Sequence, residues 1–217
     1  MDFWLVRHGT TGANLQGRLQ GRLDFPLADE GKIEVSMLAR RLRGQRFSYL
    51  FCSTLGRARE TVSIIADQVL GPEPIFTSLL EEYAWGVIQG MTKVEIGKRY
   101  PLILKQLQHD FHHAKIPEAE GISTLFQRVK LFYLLLSKIA RKIPGGKERA
   151  PILIVSHGRF LQALIIYILK FNCGESWPFS LAPASLSILQ DDFRGKRRLK
   201  LFNDTCHLCG EDRKMKI

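Results

Sequence analysis

Two apolar runs in this chain end in the same way. Asp2–Val6 (DFWLV) leads into Arg7-His8-Gly9-Thr10, and Pro151–Val155 (PILIV) leads into Ser156-His157-Gly158. Short runs rich in branched and aromatic residues read as strands, and PILIV has no polar member, which marks a strand buried on both faces. Such strands occur where helices cover both sides of a parallel sheet. The rest of the chain fits. Asp29–Gly44 places Ile33, Met37, Leu38 and Leu42 at helical spacing, and Tyr49–Cys52 reads as a second strand. Leu55–Leu70 is a helix with Val62, Ile65 and Val69 on one stripe, stopped by Gly71-Pro72. Pro74–Thr77 reads as a short third strand, and Ser123–Ile143 as a long amphipathic helix ended by Pro144-Gly145-Gly146. Arg159–Lys170 is an apolar helix, and Leu186–Leu189 with Arg198–Phe202 are two closing strands. The expected fold class is α/β, a three-layer α/β/α arrangement around a mainly parallel central sheet. Residues 91–122 break the rhythm and are expected to form a small helical cap insertion, opened by a Thr92/Glu95 capping box. The 217 residues suit a single domain over 1–217.

Charge narrows the partners without choosing one. Lys and Arg number 32 against 21 Asp and Glu, a net charge of +11. Residues 1–110 hold 14 basic and 12 acidic residues, and residues 111–217 hold 18 and 9, so the surplus sits in the second half. A basic surplus suits nucleic acid, an anionic membrane or a phosphorylated small molecule. With 45% hydrophobic and 24% charged residues the chain is not disordered or fibrous. No apolar run approaches the roughly 20 residues of a membrane span. The opening MDFWLVRHG does not read as a secretory signal, and four cysteines do not suggest a disulfide scaffold. A reduced, cytoplasmic protein is expected.

The strand ends carry the chemistry, as is usual for open α/β sheets. Arg7 is a fixed cation suited to bidentate phosphate binding, and neutral imidazole at His8 can attack as a nucleophile. His157 follows the most buried strand and opens a helix, whose N-terminal N–H groups attract anions. Buried structural histidines and a salt-bridged arginine would leave the same trace at either motif taken alone. The second strand leads to Ser53-Thr54-Leu55-Gly56-Arg57-Ala58, with Arg57 in the first turn of a helix. The third leads to Leu80-Glu81-Glu82-Tyr83-Ala84-Trp85-Gly86. A carboxylic acid facing an anionic substrate can donate a proton to a leaving alkoxide. Two arginines, two imidazoles and one acid form a kit for phosphoryl transfer. The local repeat Gln16-Gly17-Arg18-Leu19 / Gln20-Gly21-Arg22-Leu23 reads as a Gly-rich loop over the site.

These motifs together resemble the histidine phosphatase superfamily, also called phosphoglycerate mutase-like. Leu5-Val6-Arg7-His8-Gly9-Thr10-Thr11 with Asn14 is similar to its signature, and Gly21-Arg22-Leu23-Asp24-Phe25-Pro26-Leu27 with Gly31 to its substrate loop. Ser53 through Arg57-Ala58 to Thr61 resembles its second-arginine motif, Glu82 with Gly86 and Gly90 its acid motif, and Ser156-His157-Gly158 its closing motif. Asn203-Asp204-Thr205 with His207-Leu208 resembles its last strand, so the similarity spans Phe3 to Leu208. The resemblance implies that His8 becomes a phosphohistidine, and that Arg7, Asn14, Arg57 and His157 hold the phosphoryl oxygens. It also implies that Glu82 protonates the leaving oxygen and then activates water, while Gln20 and Gly21 line the substrate side. It implies no metal and no cofactor, because guanidinium and imidazolium groups take the cation's place. The partner expected is a small phosphorylated metabolite, with no nucleic acid and no membrane; a homodimer stays open.

The chain departs from the family pattern at three positions. Gln89 stands where Glu is frequent, Glu81 where Arg is common, and Ile122 where Glu is common. Glu81 therefore competes with Glu82 for the acid role, and the spacing to Gly86 and Gly90 selects Glu82. Mutases of the family have Arg just after the acid, whereas Tyr83 and Ala84 stand here, and the stretch from Glu82 to His157 is shorter than theirs. That favours a phosphoric monoester hydrolase, alpha-ribazole phosphatase-like or of broad specificity. The alternatives are a phosphoglycerate mutase and a fructose-2,6-bisphosphatase-like enzyme. Phe25, Tyr83, Trp85 and Phe111 are aromatic candidates for the pocket wall. His109-Asp110-Phe111-His112-His113 reads as a solvated polar face, and Cys206-His207-Leu208-Cys209 as reduced thiols, since a tetrahedral zinc site needs a second ligand pair. The charge run from Arg194 to Lys200 reads as a solvated hairpin.

Overall fold

The computed structural model of the chain describes residues 1–109, 114–143, 149–172 and 177–209. Six strands form one sheet: β1 (Asp2–Arg7), β2 (Tyr49–Ser53), β3 (Ile75–Thr77), β4 (Ile152–Ser156), β5 (Leu186–Asp191) and β6 (Arg197–Asp204). Their order across the sheet is β3-β2-β4-β1-β5-β6. The first four run parallel, with β4 pairing β1 on one side and β2 on the other. β5 is antiparallel to β1, and β6 is antiparallel to β5. The helices are α1 (Gly12–Leu15), α2 (Asp29–Arg41), α3 (Gly56–Ala66), α4 (Lys93–Arg99), α5 (Pro101–His109), α6 (Ile122–Lys142) and α7 (Gly158–Leu169).

The strand alternation separates two cores. Phe3, Leu5, Phe51, Ile152 and Ile154 face α6 and α7, whose Val129, Phe132, Phe160 and Leu164 share the cluster. Val6, Leu50, Cys52, Leu153 and Val155 face the other way, against Val35 and Leu38 of α2 and Val62 and Ile65 of α3. This is the expected three-layer α/β/α arrangement: a pleated strand turns successive side chains to opposite faces, and helices cover both. β4 is buried along its whole length, as its uninterrupted apolar sequence requires.

Element ends differ from the sequence expectation for local reasons. The second helix stops at Ala66 and not at Leu70. Leu70 instead donates its N–H to Gln45 and accepts from Phe47, so the tail pairs with the segment entering β2. The 91–122 stretch holds α4 and α5. Thr92 and Glu95 form the expected capping box, and Pro101 begins a second helix after Tyr100, where a missing N–H costs nothing. The short α1 was not expected; Thr11 and Asn14 cap it reciprocally. Pro144, Gly145 and Gly146 lie outside the described residues.

The loop after β1 rests directly on α2. A side-chain carbon added at Gly9 would stand 2.7 Å from the Gly31 carbonyl oxygen, and one added at Gly31 would stand 2.0 Å from the Thr10 carbonyl oxygen. Glu34 secures the same loop, accepting from the Thr10 N–H and hydroxyl, each at 3.0 Å. Gly31→Ala is therefore expected to force the loop off the helix. Its cost should be about 1–3 kcal/mol in urea unfolding, the usual penalty for overpacking.

Candidate active site

The carboxyl ends of β1, β2 and β4 and the segment after β3 surround one cavity of about 600 Å³. Seven of the eight residues expected at the site line it: Arg7, His8, Asn14, Gln20, Gly21, Arg57 and Glu82. The eighth, His157, is fully buried beside them, its ring centroid 5.1 Å from that of His8.

The geometry defines the His8 tautomer. Nδ1 lies 2.8 Å from the Gly9 carbonyl oxygen, which can only accept, so Nδ1 carries the proton. Nε2 accepts from Arg57 Nε at 3.3 Å and therefore has the lone pair. Arg57 is wholly buried and spans three segments, since its Nη1 donates to the Leu23 carbonyl at 2.8 Å and its Nη2 to Gly21 at 2.7 Å. Gly21 adopts a φ of +56°, and a side chain there would overlap Gln89. Gln89, one of the departures from the family pattern, uses its amide oxygen to accept from the N–H groups of Arg22 and Trp85. Thr61 braces the turn, donating to the Arg57 carbonyl and accepting from the Gly9 N–H. Asn14 spends its amide oxygen on the Thr11 N–H and hydroxyl, which leaves its NH₂ to donate elsewhere.

Glu82 and Glu81 separate cleanly. Glu81 turns away from the cavity to Thr54 and Arg22. The Glu82 carboxylate accepts from the N–H groups of Tyr83 at 2.9 Å, Phe160 at 3.1 Å and Arg159 at 3.1 Å. This corrects one expectation. The N-terminal N–H groups of α7 were expected to attract the substrate's phosphate, but two of them hold Glu82, which supplies from outside the helix the cap that His157 does not make.

Three buried polar atoms in this region have no hydrogen-bond partner among the described residues: Arg7 Nε, Gln20 Oε1 and His157 Nδ1. Arg7 Nη1 donates to the Leu181 carbonyl, and His157 Nε2 meets Ser53 Oγ at 2.7 Å. Buried polar groups are nearly always satisfied, so orphaned atoms on two residues lining the cavity and on His157 behind them indicate a polar ligand.

A family model described as the histidine phosphatase superfamily (branch 1) matches residues 3–205. The chain belongs to this superfamily. It is 33% identical over 187 residues to the "Probable phosphoglycerate mutase GpmB" of Shigella dysenteriae serotype 1, covering 86% of this chain and 83% of that one. The alpha-ribazole phosphatase from Shigella flexneri superposes with a TM-score of 0.81 at 26% identity, over 94% of this chain and 97% of that one. Bacillus stearothermophilus YhfR does so with a TM-score of 0.81 at 27% identity, over 95% and 98%. Phosphatase or mutase chemistry fits this member of the superfamily, and relatives of both kinds match it.

The pocket wall also departs from expectation. Of the four aromatic candidates, Trp85 lines the cavity, whereas Tyr83 and Phe25 do not, and Phe111 lies outside the described residues. Tyr83 is buried and packs edge-on against Trp85 at 4.9 Å. Trp177, Phe179, Arg159 and Gln162 complete the wall. The Arg159 guanidinium sits 5.8 Å from the Trp85 ring centroid and 5.3 Å from that of Trp177. Arg159 was detectable, because it directly follows His157-Gly158 in the first turn of a helix at a strand end; Trp177 and Phe179 lie in an irregular segment with no periodic signal.

The secondary candidates stay outside this site. Cys206 and Cys209 are exposed thiols around one helical turn, and His207 contacts Arg41 and the Ala184 carbonyl. Among the described residues no cluster of three or more His, Cys, Asp or Glu is placed to hold a metal ion. His109 is exposed at the end of α5, and His112 and His113 lie outside the described residues. The basic run forms the β5–β6 hairpin, where Arg197 pairs with Asp191 and Lys200 with Asp2. Among the described residues no helix is long and apolar enough to cross a membrane.

Burial, reinforced by Arg57 and Arg7, holds the His8 imidazolium pKa well below its ordinary 6.5. Burial does the same for His157, with Arg57 and His8 adding to it. Burial also lowers Arg57, to about 10. Both rings are thus neutral in the folded protein at pH values where an unfolded imidazole takes a proton. The unfolded chain then binds more protons below pH 6.5, and stability falls as acid is added. Denaturant titrations at about pH 7.5 and about pH 5.5 should show a loss of up to about 1.4 kcal/mol per histidine, and His8→Asn should remove the share due to His8.

Proposed function

We propose that this histidine phosphatase hydrolyses small-molecule phosphate monoesters through a phosphohistidine on His8. The observation that carries the reading is the His8 tautomer: a neutral ring, its lone pair on Nε2 at the cavity, beside the buried Arg57, the half-buried Arg7 and a carboxyl group. Neutral imidazole is the reactive form, and its lowered pKa keeps it available in mildly acidic solution.

In this reading the substrate's phosphoryl group displaces Arg57 Nε from His8 Nε2 and takes donors from Arg7, Arg57, Asn14 and His157. With the Ser53 hydroxyl donating to His157 Nε2, the His157 ring proton sits on Nδ1 and reaches the phosphoryl oxygens. Nε2 attacks phosphorus as the ester P–O bond breaks, and the leaving oxygen receives a proton from Glu82. Glu82 Oε1 takes the N–H groups of Tyr83 and Phe160, and Oε2, on the Arg159 N–H, is the oxygen that carries that proton. Water then attacks the phosphohistidine, returns a proton to Glu82 and releases inorganic phosphate. Guanidinium and imidazole donors act where another enzyme would use a metal cation.

The lining supports a substrate class. A cavity of about 600 Å³ with Trp85, Trp177 and Phe179 on its wall suits a small phosphorylated metabolite with some apolar or ring character. This fits hydrolysis of the kind named for the Shigella flexneri neighbour; the mutase reading has the GpmB relative in its favour.

His8→Ala should abolish phosphate release from p-nitrophenyl phosphate, and Glu82→Gln should lower kcat on an alkyl phosphate by about 10²–10⁴. Chelator should leave the wild type active. Activity that survives in His8→Ala would refute the mechanism, and interconversion of phosphoglycerates faster than phosphate release would make the enzyme a mutase.

A further inference from the structure

The acid at Glu82 lies outside any regular element: a single 3-10 turn, Ser78–Leu80, ends before it, and residues 81–84 run as irregular chain toward the cavity. A general acid needs a defined position, because misplacement by even one ångström lowers the rate steeply. Three carbonyls along this segment are held from outside the cavity by one guanidinium. Arg128 of α6 donates through Nη1 to the carbonyls of Leu79 at 2.8 Å and Glu81 at 2.9 Å, and through Nη2 to Glu82 at 3.4 Å. The same guanidinium lies 5.3 Å from the ring centroid of Phe160, the residue whose N–H binds the Glu82 carboxylate.

A guanidinium donating to three carbonyls is itself aimed by a carboxylate. Glu120 takes Arg128 in a fork, Oε1 on Nε and Oε2 on Nη2 at 2.9 Å. The Glu120 side chain is only 3% exposed, so its two oxygens turn to this partner and not to water. It is also stitched to the acid segment through its backbone, since its N–H donates to the Ala84 carbonyl at 3.0 Å and its side chain accepts from the Ala84 N–H at 3.4 Å. From the substrate loop Arg22 reaches the same carboxylate at 3.5 Å and Glu81 at 3.3 Å.

We infer that the Glu120–Arg128 pair is the positioning device for the proton donor. It fixes the carbonyls of residues 79, 81 and 82, and through Phe160 it aligns the α7 end that receives the Glu82 carboxylate. The inference rests on Glu82 being the acid.

A positioning role has a signature that loss of structure lacks. An alkoxide cannot leave without a proton, whereas p-nitrophenolate can, so a misplaced acid harms alkyl phosphates selectively. The readout is kcat/KM, which reports phosphoryl transfer to His8, for an alkyl phosphate and for p-nitrophenyl phosphate. Three variants are compared with wild type: Glu120→Gln, Arg128→Lys and Glu82→Gln. Glu120→Gln keeps the shape, and Arg128→Lys keeps the charge but loses the fork. Both are expected to lower the ratio of alkyl to aryl kcat/KM tenfold or more, in the direction of Glu82→Gln. Equal losses on both substrates, with Glu82→Gln still selective, would overturn the positioning role alone. An unchanged ratio in Glu82→Gln would remove the acid assignment and the inference with it. Circular dichroism and unfolding midpoints show that the variants compared are folded.

Discussion

A full positive charge, withdrawn from water at Arg57, is what the rest of the site is built around. Its three donor directions end on His8 at the tip of β1 and on the carbonyls of Gly21 and Leu23 in the substrate loop. Burying a cation is costly unless its donors are used, and carbonyl oxygens do not cancel its charge. The site thus keeps positive potential in a place that water does not screen. That one buried guanidinium holds the 20–23 loop and occupies the His8 lone pair, and it reinforces the burial that keeps both imidazoles neutral.

A dianion entering such a place relieves several strains together. It offsets Arg57 and Arg7, and it offers acceptors to nitrogens that have none. The cost of assembling like charges is met during folding by the two cores on either face of the sheet, so affinity for phosphate is prepared before any ligand arrives. That is preorganisation in the electrostatic sense: the donors do not have to be gathered when the charge moves.

Much of this was legible in the chain itself, because the two kinds of signal it uses are local. A strand that runs straight from PILIV into Ser-His-Gly announces both a buried parallel strand and the place where its end must do chemistry. Spacing to Gly86 and Gly90 distinguished Glu82 from Glu81, and the structure turns Glu81 out to Thr54 and Arg22. What was not legible depends on contacts between distant segments. Nothing near Glu82 signals that Phe160 and Arg159 will hold its carboxylate, and nothing near Leu70 signals that it will leave its helix to pair with Gln45 and Phe47. Trp177 and Phe179 reach the cavity from an irregular segment, where neither period two nor period three and a half exists to be read. The cap of α7 is the clearest case: a helix start promises free N–H groups only until some other chain segment claims them.

The sheet's two edges are unlike. β3 is three residues long, whereas β6 is eight, with Arg198 and Lys200 turned outward among its exposed positions. A long unpaired strand invites a second copy to continue the sheet, and basic side chains along it oppose that. Two such strands brought side by side would set arginine and lysine against arginine and lysine. The exposed basic residues of β6 thus disfavour continuation of the sheet into a second copy along its long border, a restraint set by charge and not by the strand's own pairing.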